Sequence, residues 1–320
     1  MEYRGFGRLA VPAPDRMKAR GGGPEAGTGE PDVAGPELDD ADRAAVGRLS
    51  VRLADAVGRG RLGVAFSGGV DSSVLLALAV RALGQAKVVA VLGVSPSLAT
   101  AERVAAHDVA RFVGVPVVEV TTAEGDDPRY RRNAPDRCFY CKHELFARIS
   151  ADVVAAHGLS AVAYGENADD AARHDRPGAR AARDHGVLTP LTDARMGKAT
   201  IRRIARALAL PSADKPAAPC LASRIPHLQE VTPGKLGQVE TAEAGLRRLG
   251  LADLRVRHHG DVARVEVPVA EIGRLAREPL RGHVVDAVRA AGFRYVALDL
   301  AGIQSGSFTL AQLGLEPTHG

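Results

Sequence analysis

Ser67-Gly68-Gly69-Val70-Asp71-Ser72-Ser73 is the stretch that decides the fold class. It follows an apolar run at residues 62–66, which predicts a buried strand, and precedes another at residues 74–80, which predicts a buried helix. Turns of this kind, at the carboxyl end of a strand, are where open α/β sheets bind ligands. The glycines let an anion approach the backbone, so the N–H groups and the helix N-terminus are predicted to face a phosphate.

Outward from this turn, strands and helices alternate. Residues 87–94 form a continuous β-branched run, which is typical of a parallel strand buried on both faces. Further strands are predicted at residues 115–120, 161–164 and 187–191, with helices between them. This rhythm predicts an α/β fold with a doubly wound parallel sheet.

The composition changes after residue 226. A helix is predicted over residues 233–249, and two short strands flank Gly260-Asp261, which is a hairpin signal. We therefore expect three regions: a disordered Gly- and Pro-rich tail (1–38), the α/β domain (39–226) and a small α+β domain for substrate binding or oligomerisation (227–320).

Bulk composition narrows the function classes. The chain has 320 residues, a formal net charge of +4, 4% aromatic residues and no tryptophan. The mild positive charge suits a small anionic ligand, and the few aromatic side chains disfavour binding of single-stranded nucleic acid. Since no apolar run is long enough to cross a bilayer and no signal-peptide core is seen, we expect no membrane partner and a cytoplasmic location.

Cys138, Cys141 and Cys220 are all the cysteines of the chain. An odd number in a cytosolic protein argues against a disulfide framework and favours metal or sulfur chemistry. Cys138 and Cys141 precede a helix predicted from about residue 142, and their spacing allows both to face one metal. Three thiolates suit a [4Fe–4S] cluster with one open iron. The alternative is a structural zinc with His143 or His157 as fourth ligand.

The glycine-rich turn resembles the SGGxDS loop of PP-loop ATP pyrophosphatases, whose fold is HUP-like. Taken with other blocks, the chain is similar to the LarE family of ATP-dependent sulfur insertases. Glu166 and Ile303-Gln304 depart from the family pattern, where a small hydroxyl residue and Tyr-Arg are expected. The blocks that carry the resemblance are Ser95-Pro96-Ser97-Leu98, Arg137-Cys138-Phe139-Tyr140-Cys141-Lys142, Gly165-Glu166-Asn167-Ala168-Asp169-Asp170, Cys220-Leu221-Ala222-Ser223-Arg224, Arg255-Val256-Arg257 and Gly302-Ile303-Gln304-Ser305-Gly306-Ser307.

The resemblance implies one step in the synthesis of a nickel-pincer cofactor. The implied substrate is pyridinium-3,5-biscarboxylic acid mononucleotide, whose carboxylates are adenylated with ATP and Mg²⁺ and converted to thiocarboxylates, releasing AMP and pyrophosphate. It also implies a homo-oligomer and a downstream nickel-insertion protein as partner. Family members that have only the third cysteine donate its sulfur and keep dehydroalanine. The presence of Cys138 and Cys141 favours the cluster-dependent type for this chain.

The nucleotide site is predicted from the loop and its neighbours. Asp71 is expected to bind Mg²⁺, to hold the loop or to cap the following helix. The end of the second strand, from Val94 and Ser95 to Ser97, is predicted by analogy to hold adenosine. Arg224 is expected near the adenylate because it follows Cys220 by four residues. The predicted pyrophosphate cradle is Ser67, Gly68, Gly69, Ser72 and Ser73.

Other charged residues carry weaker predictions. Arg255 and Arg257 alternate on a strand, share one face and are predicted to grip the substrate phosphate. Glu243 and Glu266 are candidates for a second metal. Asp169 and Asp170 are predicted to bind metal or to cap a helix. A basic loop is predicted either to close over ATP or to be a solvated charge run; its arginines are Arg173, Arg176, Arg180 and Arg183.

Rival functions share parts of this pattern. A tRNA thiolation enzyme would share the loop and the cysteines, but it commonly carries a second CxxC in an RNA-binding module, and this chain has one CxxC. An amidating enzyme resembling NAD or GMP synthetase has no use for three cysteines. A non-enzymatic nucleotide-binding protein would not need the whole loop together with the cysteines.

Overall fold

A computed structural model describes residues 38–172 and 177–303. Its seven strands are β1 Arg61–Ala65, β2 Val88–Val94, β3 Val117–Thr121, β4 Leu159–Tyr164, β5 Arg255–His259, β6 Val262–Glu266 and β7 Tyr295–Leu298. Its α-helices are α1 Asp40–Val57, α2 Val70–Leu83, α3 Thr100–Val113, α4 Pro128–Arg131, α5 Arg137–Arg148, α6 Val154–His157, α7 Ala168–Ala171, α8 Pro177–Asp184, α9 Pro190–Asp193, α10 Lys198–Ala207, α11 Pro233–Arg248, α12 Val269–Leu275 and α13 Leu280–Ala290. None of these helices combines the length and hydropathy needed to cross a membrane.

The first sheet has four parallel strands in the order β3-β2-β1-β4. Alternate residues of β2 point to opposite faces, as the strand period requires. Val88, Ala90 and Leu92 pack in the core that contains α1, α2 and α10, whereas Val89 and Val91 pack in the core that contains α5 and α8. Helices therefore cover both faces, and the predicted α/β doubly wound parallel sheet is confirmed.

The second sheet belongs to the C-terminal part of the chain and has the order β5-β6-β7. Strands β5 and β6 form the predicted hairpin, with Gly260 in the left-handed region at φ 65°. Helices α11, α12 and α13 pack on this sheet. Tyr130, Leu221 and Ile225, from earlier in the chain, join the same core. The boundary at residue 226 remains a prediction.

Two details of the predicted secondary structure are wrong. At residues 187–191, Leu188 forms only an isolated parallel bridge to Ala163. Helix α9 begins at Pro190, because proline lacks an N–H for a strand ladder but suits the first turn of a helix. Helix α5 begins at Arg137 rather than near residue 142, so Cys138 and Cys141 lie within it.

Some sequence predictions fall outside the described residues. They are the tail over residues 1–37, Arg173 and Arg176 of the basic loop, and the block from Gln304 onward. Arg180 and Arg183 are described, and both lie in helix α8 instead of a loop. The Arg180 guanidinium stacks on the Phe139 ring at 4.0 Å. This contact favours a structural role for Arg180 at the start of helix α5.

Candidate functional site

The pyrophosphate loop is held together by its own serine hydroxyls. Gly69 is the N-cap of α2, and its carbonyl accepts hydrogen bonds from Ser72 Oγ at 3.0 Å and Ser73 Oγ at 2.8 Å. Ser72 and Ser73 are buried, whereas Ser67 is exposed. The two buried hydroxyls therefore shape the loop, and the exposed Ser67, whose Oγ lies 3.2 Å from Ser72 Oγ, stands beside the helix start where the sequence predicts a phosphate.

Two glycines make this shape possible. Gly68 has φ 71°, which disfavours side chains, and a Cβ there would lie 2.8 Å from Ala106 Cα. Gly165, just after β4, approaches the loop so closely that a Cβ would lie 2.8 Å from Ser72 N and 2.9 Å from Ser72 Cα. The loop and the end of β4 thus touch backbone to backbone.

Asn167 joins two carboxylates beside the loop. Its Nδ2 donates to Asp71 Oδ2 at 2.8 Å and to Asp170 Oδ2 at 3.1 Å, and Lys198 Nζ pairs with Asp170 Oδ1 at 2.9 Å. Burial raises the pKa of Asp71, the Asn167 hydrogen bond opposes this rise, and the charge of Asp170 adds to it. The negative charges of Asp71 and Asp170 repel each other, and a bound cation would relieve this repulsion. Carboxylate oxygens are ligands that suit Mg²⁺.

Asp169 does not join this pair. Its Oδ2 accepts a hydrogen bond from the backbone N–H of Lys198 at 2.7 Å, at the start of α10. Of the two predicted alternatives for Asp169, the structure therefore favours helix capping. The side chain that joins Asp71 to Asp170 is Asn167, to which sequence reasoning gave no role although it stands in the Gly165 block.

A cavity of about 550 Å³ lies above the loop. Ser67, Gly69, Asp71 and Ser72 line one part of it, and Cys220 and Arg224 line another. Cationic side chains dominate its charged lining, which suits a polyphosphate. Those that sequence reasoning left without a role are Lys142, Lys198, Arg202, Lys215 and Arg247.

The residues predicted to hold adenosine lie at or beside this cavity. Its lining includes Ser97, the last residue of the predicted range, and Gly93, which precedes that range, but not Val94 or Ser95. Ser95 Oγ donates to Glu124 Oε1 at 2.5 Å, so its hydroxyl has a protein partner. The adenosine prediction for Val94 and Ser95 stays a prediction.

The three cysteines lie near one another. Burial raises the pKa of the Cys141 thiol well above its ordinary value, and the charges of Glu124, Cys220 and Cys138 raise it further. Burial lowers the pKa of Arg137, but the charges of Cys220 and Cys138 outweigh that effect and raise it. The thiols therefore share one electrostatic environment with Arg137 as counter-ion.

The proposed zinc alternatives do not join the cysteines. His143 Nδ1 is hydrogen-bonded to His185 Nε2 at 3.0 Å. His157 ends α6, and its carbonyl accepts from Arg61 at the amino end of β1, opposite the edge that carries the loop. Among the described residues, no three His, Cys, Asp or Glu side chains form a ready-made metal site, so the cysteines are close without being a closed ligand set.

Glu124 is a neighbour of the cysteines that sequence reasoning missed. Its side chain is 3% exposed, and its Oε2 has no hydrogen-bond partner among the described residues. The only sequence signal was its place in a polar loop after β3. Glu124 adds a negative charge beside Cys141, which disfavours a thiolate there unless a cation is bound.

The two glutamates predicted as second-metal candidates are held in buried ion pairs. Glu243 Oε1 accepts from Arg224 Nε at 2.8 Å, and Glu243 Oε2 accepts from Arg247 Nη2 at 2.8 Å. Arg257 makes two hydrogen bonds of 2.9 Å to Glu266. Arg257 is thus paired with a carboxylate, and its predicted contact with the substrate phosphate remains a prediction. The ion pairs give Glu243 and Glu266 a structural role, and their second-metal role remains a prediction.

Arg255 and Arg257 are both buried on β5, with Val256 buried between them. Burial lowers the pKa of Arg255, and the charges of Arg257 and Arg224 lower it further. The three guanidinium groups therefore lie close enough to repel one another, which favours binding of an anion among them. The predicted phosphate grip of Arg255 remains a prediction.

Comparison with known proteins agrees with this geometry. The family described as asparagine synthase matches residues 49–263. An uncharacterized protein of Synechocystis sp. is 41% identical over 76% of this chain and 90% of its own length. A protein of Lactiplantibacillus plantarum named pyridinium-3,5-bisthiocarboxylic acid mononucleotide synthase is 35% identical over 79% of this chain and 92% of its own length.

A more distant relative is an uncharacterized protein of Methanocaldococcus jannaschii, 28% identical over 53% of this chain and 64% of its own length. The family match covers the pyrophosphate loop, the three cysteines and the first strand of the C-terminal sheet. The Lactiplantibacillus relative extends the similarity over most of both chains. With the pyrophosphate loop, the parallel sheet and the cavity lined by Cys220 in place, the chain belongs to the LarE family of PP-loop ATP pyrophosphatases.

Proposed function

We propose that this chain is an ATP-dependent sulfurtransferase that adenylates the carboxylates of pyridinium-3,5-biscarboxylic acid mononucleotide and converts them to thiocarboxylates. Family membership supports the use of ATP and the transfer of sulfur. The name of the Lactiplantibacillus relative supports the substrate class, because it states a bisthiocarboxylic acid mononucleotide as the product. The expected products are AMP, pyrophosphate and the thiocarboxylate.

The observation that carries the proposal is a shared cavity. Ser67 and Asp71 of the pyrophosphate loop and Cys220 line the same space of about 550 Å³. An acyl adenylate formed over the loop would therefore lie within reach of sulfur held at Cys220. An amidating enzyme needs the loop but gives no reason for a cysteine in this position.

The first step activates a poor electrophile. A substrate carboxylate oxygen attacks the α-phosphorus of ATP, the bond from that phosphorus to the bridging oxygen breaks, and pyrophosphate leaves with the electron pair. The N–H groups at the start of α2 and the cations Lys198 and Arg202 neutralise the departing charge. Asp71 and Asp170 are the residues that would hold Mg²⁺, which neutralises phosphate charge when bound.

In the second step a hydrosulfide sulfur bonds to the activated carbonyl carbon, the bond from that carbon to the AMP oxygen breaks, and AMP leaves with the electron pair. Cys138, Cys141 and Cys220 are the residues that would hold a [4Fe–4S] cluster, which supplies an open iron for a hydrosulfide. Burial and the neighbouring negative charges raise the pKa of Cys141, so its thiolate requires a bound cation, and the Arg137 guanidinium supplies a positive charge beside the cysteines. The protein's own part is to bring this sulfur to the cavity and to exclude competing water.

Substrate-dependent release of pyrophosphate tests the adenylation step. Wild-type protein with ATP, Mg²⁺ and the dicarboxylate mononucleotide should release pyrophosphate, and Ser67→Ala should slow that release roughly tenfold or more. Ser50→Ala is the matched control, because Ser50 is a serine of α1 whose hydroxyl donates to the Val46 carbonyl of the same helix. No substrate-dependent pyrophosphate above the ATP-only rate would contradict the proposal.

Anaerobic reconstitution tests the sulfur donor. After reconstitution with iron and sulfide, we expect roughly four irons and four sulfides per chain. Cys141→Ser should reduce this content, and mass spectrometry should then find less thiocarboxylate product while substrate-dependent pyrophosphate release continues. Iron content near zero after competent reconstitution would contradict the cluster and leave adenylation intact.

A further inference from the structure

The backbone that carries Cys220 is held by arginines. Each of three guanidinium groups donates to a different carbonyl oxygen of residues 219–223, and Leu221 N donates to the Ser97 carbonyl at 2.9 Å. The arginine contacts are Arg224 Nη1 to the Pro219 carbonyl at 2.7 Å, Arg137 Nη1 to the Ala222 carbonyl at 2.9 Å and Arg257 Nη1 to the Ser223 carbonyl at 2.9 Å.

These arginines come from three separate parts of the chain. Arg137 begins α5, next to Cys138, whereas Arg257 lies on β5 of the C-terminal sheet. Arg224 directly follows residues 219–223. Its guanidinium contacts the Pro219 carbonyl and also the buried Glu243 of α11. The position of Cys220 is therefore determined by the helix that carries the other two cysteines and by the C-terminal sheet.

Buried partners hold the arginines themselves in place. Glu243 and Glu266 are both fully buried and pair with Arg224 and Arg257 at 2.8 Å and 2.9 Å. Arg137 Nη1 also donates to Asn133 Oδ1 at 2.5 Å. A guanidinium fixed on one side by such a partner presents its remaining donors in a rigid fork.

The segment needs this support because of what precedes it. Residues 214–219 form neither a helix nor a strand beyond a turn, and all but Lys215 are exposed. Cys220 itself is exposed at the cavity. Leu221 and Ala222 are buried in the C-terminal core just after it, and the arginine contacts to Pro219, Ala222 and Ser223 fix the backbone on both sides of its thiol.

We propose that Arg137, Arg224 and Arg257 are positioning residues, which fix the backbone of residues 219–223 so that the sulfur to be transferred is held beside Cys220 and close to the activated carbonyl. The proposal rests on the proposed sulfur transfer for what the sulfur does there. It assigns Arg257 to the protein backbone, where the sequence had suggested a substrate phosphate. Glu266 is then the residue that keeps Arg257 available for this task.

A matched pair of variants tests the proposal. Arg257→Gln removes the hydrogen bond to Ser223, whereas Arg264→Gln removes an arginine of β6 that pairs with the same Glu266 and with Asp299. Hydrogen–deuterium exchange of peptides covering residues 217–225 is the first readout, since it needs no substrate. The second is steady-state kinetics of thiocarboxylate formation, with kcat and KM determined separately.

We expect Arg257→Gln to speed amide exchange in residues 219–223 by at least about tenfold. We expect its kcat for thiocarboxylate to fall by about 10- to 100-fold with KM within about threefold, because misplacement of the sulfur acts on the reaction rather than on binding. Arg264→Gln should leave exchange in that segment and kcat near those of the wild type.

Unchanged amide exchange of residues 219–223 in Arg257→Gln would overturn the proposal. A raised KM with unchanged kcat would also overturn it, because it would indicate that Arg257 contacts the substrate phosphate. If Arg257→Gln does not fold, Arg257→Gln/Glu266→Gln removes the buried charges together and is read in the same way. If the wild type makes no thiocarboxylate, the proposed function fails, and the exchange measurement still decides whether Arg257 holds the segment.

Discussion

Gly165→Ala should separate two backbones at the nucleotide site. A Cβ at position 165 would lie 2.8 Å from Ser72 N and 3.0 Å from the Asp71 carbonyl carbon. Both are main-chain atoms of the pyrophosphate loop and α2, so no flexible side chain can move aside. The two segments must move apart by roughly 0.6 Å to reach an ordinary contact of 3.4 Å.

Two effects follow from this displacement. Overpacking of this kind costs about 1–3 kcal/mol of unfolding free energy, which corresponds to a fall in Tm of roughly 2–10 °C for a chain of this size. The displaced Ser72 N–H also meets the pyrophosphate less well. We therefore expect the Kd for ATP with Mg²⁺ to rise on the order of tenfold.

Differential scanning fluorimetry and isothermal titration calorimetry measure the two effects. Gly47→Ala is the control, because Gly47 is an exposed residue of α1 with nothing within 4 Å of an added Cβ. It should stabilise the chain by about 0.5–1 kcal/mol and leave ATP binding unchanged. Wild-type Tm and wild-type ATP affinity in Gly165→Ala would refute the close approach.

Three further predictions concern charge and turn geometry. Burial raises the pKa of Asp71, so the affinity for ATP with Mg²⁺ should fall as the pH falls through that raised pKa. In calorimetry, Asp71→Asn should bind ATP with Mg²⁺ weakly at every pH. Hydrogen bonds from Arg103 and His107 lower the pKa of Glu119 to about 2. The contribution of Glu119 to the free energy of unfolding is therefore fully present above the unfolded-state pKa near 4.3 and is lost as the pH falls towards 2. Urea denaturation of Glu119→Gln at a series of pH values should lack that loss. Asn133 is fully buried, has φ 57° and donates hydrogen bonds to two main-chain carbonyls. Asn133→Ala should therefore lower the free energy of unfolding by about 2–4 kcal/mol. An equal loss in Asn133→Gly would contradict a role for the left-handed backbone at this position.

Much of the fold follows from local patterns in the sequence. The β-branched run at β2 predicts a strand buried on both faces, and its alternate residues do pack into two cores. The glycines and serines of residues 67–73 predict a strand-to-helix turn because few other residue types allow that geometry. Residues 187–191 failed as a strand because the rigid ring of Pro190 favours a helix start there over a ladder.

The candidate site was predictable only in part, because ion pairs depend on contacts between distant residues. Alternation on a strand placed Arg255 and Arg257 on one face, but nothing local shows that Glu266 would bind Arg257. Glu243 likewise meets Arg224 across 19 positions of the chain. Residue type suggested metal ligands and phosphate contacts, whereas the fold brings these opposite charges together in its interior.

The lining of the cavity shows the same limit. Cys220 was predicted to act in the reaction, and the structure brings it to the cavity that holds the pyrophosphate loop. The cations Lys198, Arg202 and Lys215 also line this cavity, yet each lies in a stretch where surface lysine and arginine are common. The three cations lie together above the loop because of the path that the chain takes after β4, which the local sequence does not show.

The central claim is that adenylation and sulfur delivery meet in one cavity without consuming the protein. Whole-protein mass spectrometry after turnover tests it most directly, with reconstituted anaerobic protein, ATP, Mg²⁺, the dicarboxylate mononucleotide and sulfide. The account predicts an unchanged polypeptide mass and more thiocarboxylate than protein. A loss of about 34 Da per chain, with product limited to the amount of protein, would contradict it, because Cys220 would then have given up its own sulfur and become dehydroalanine.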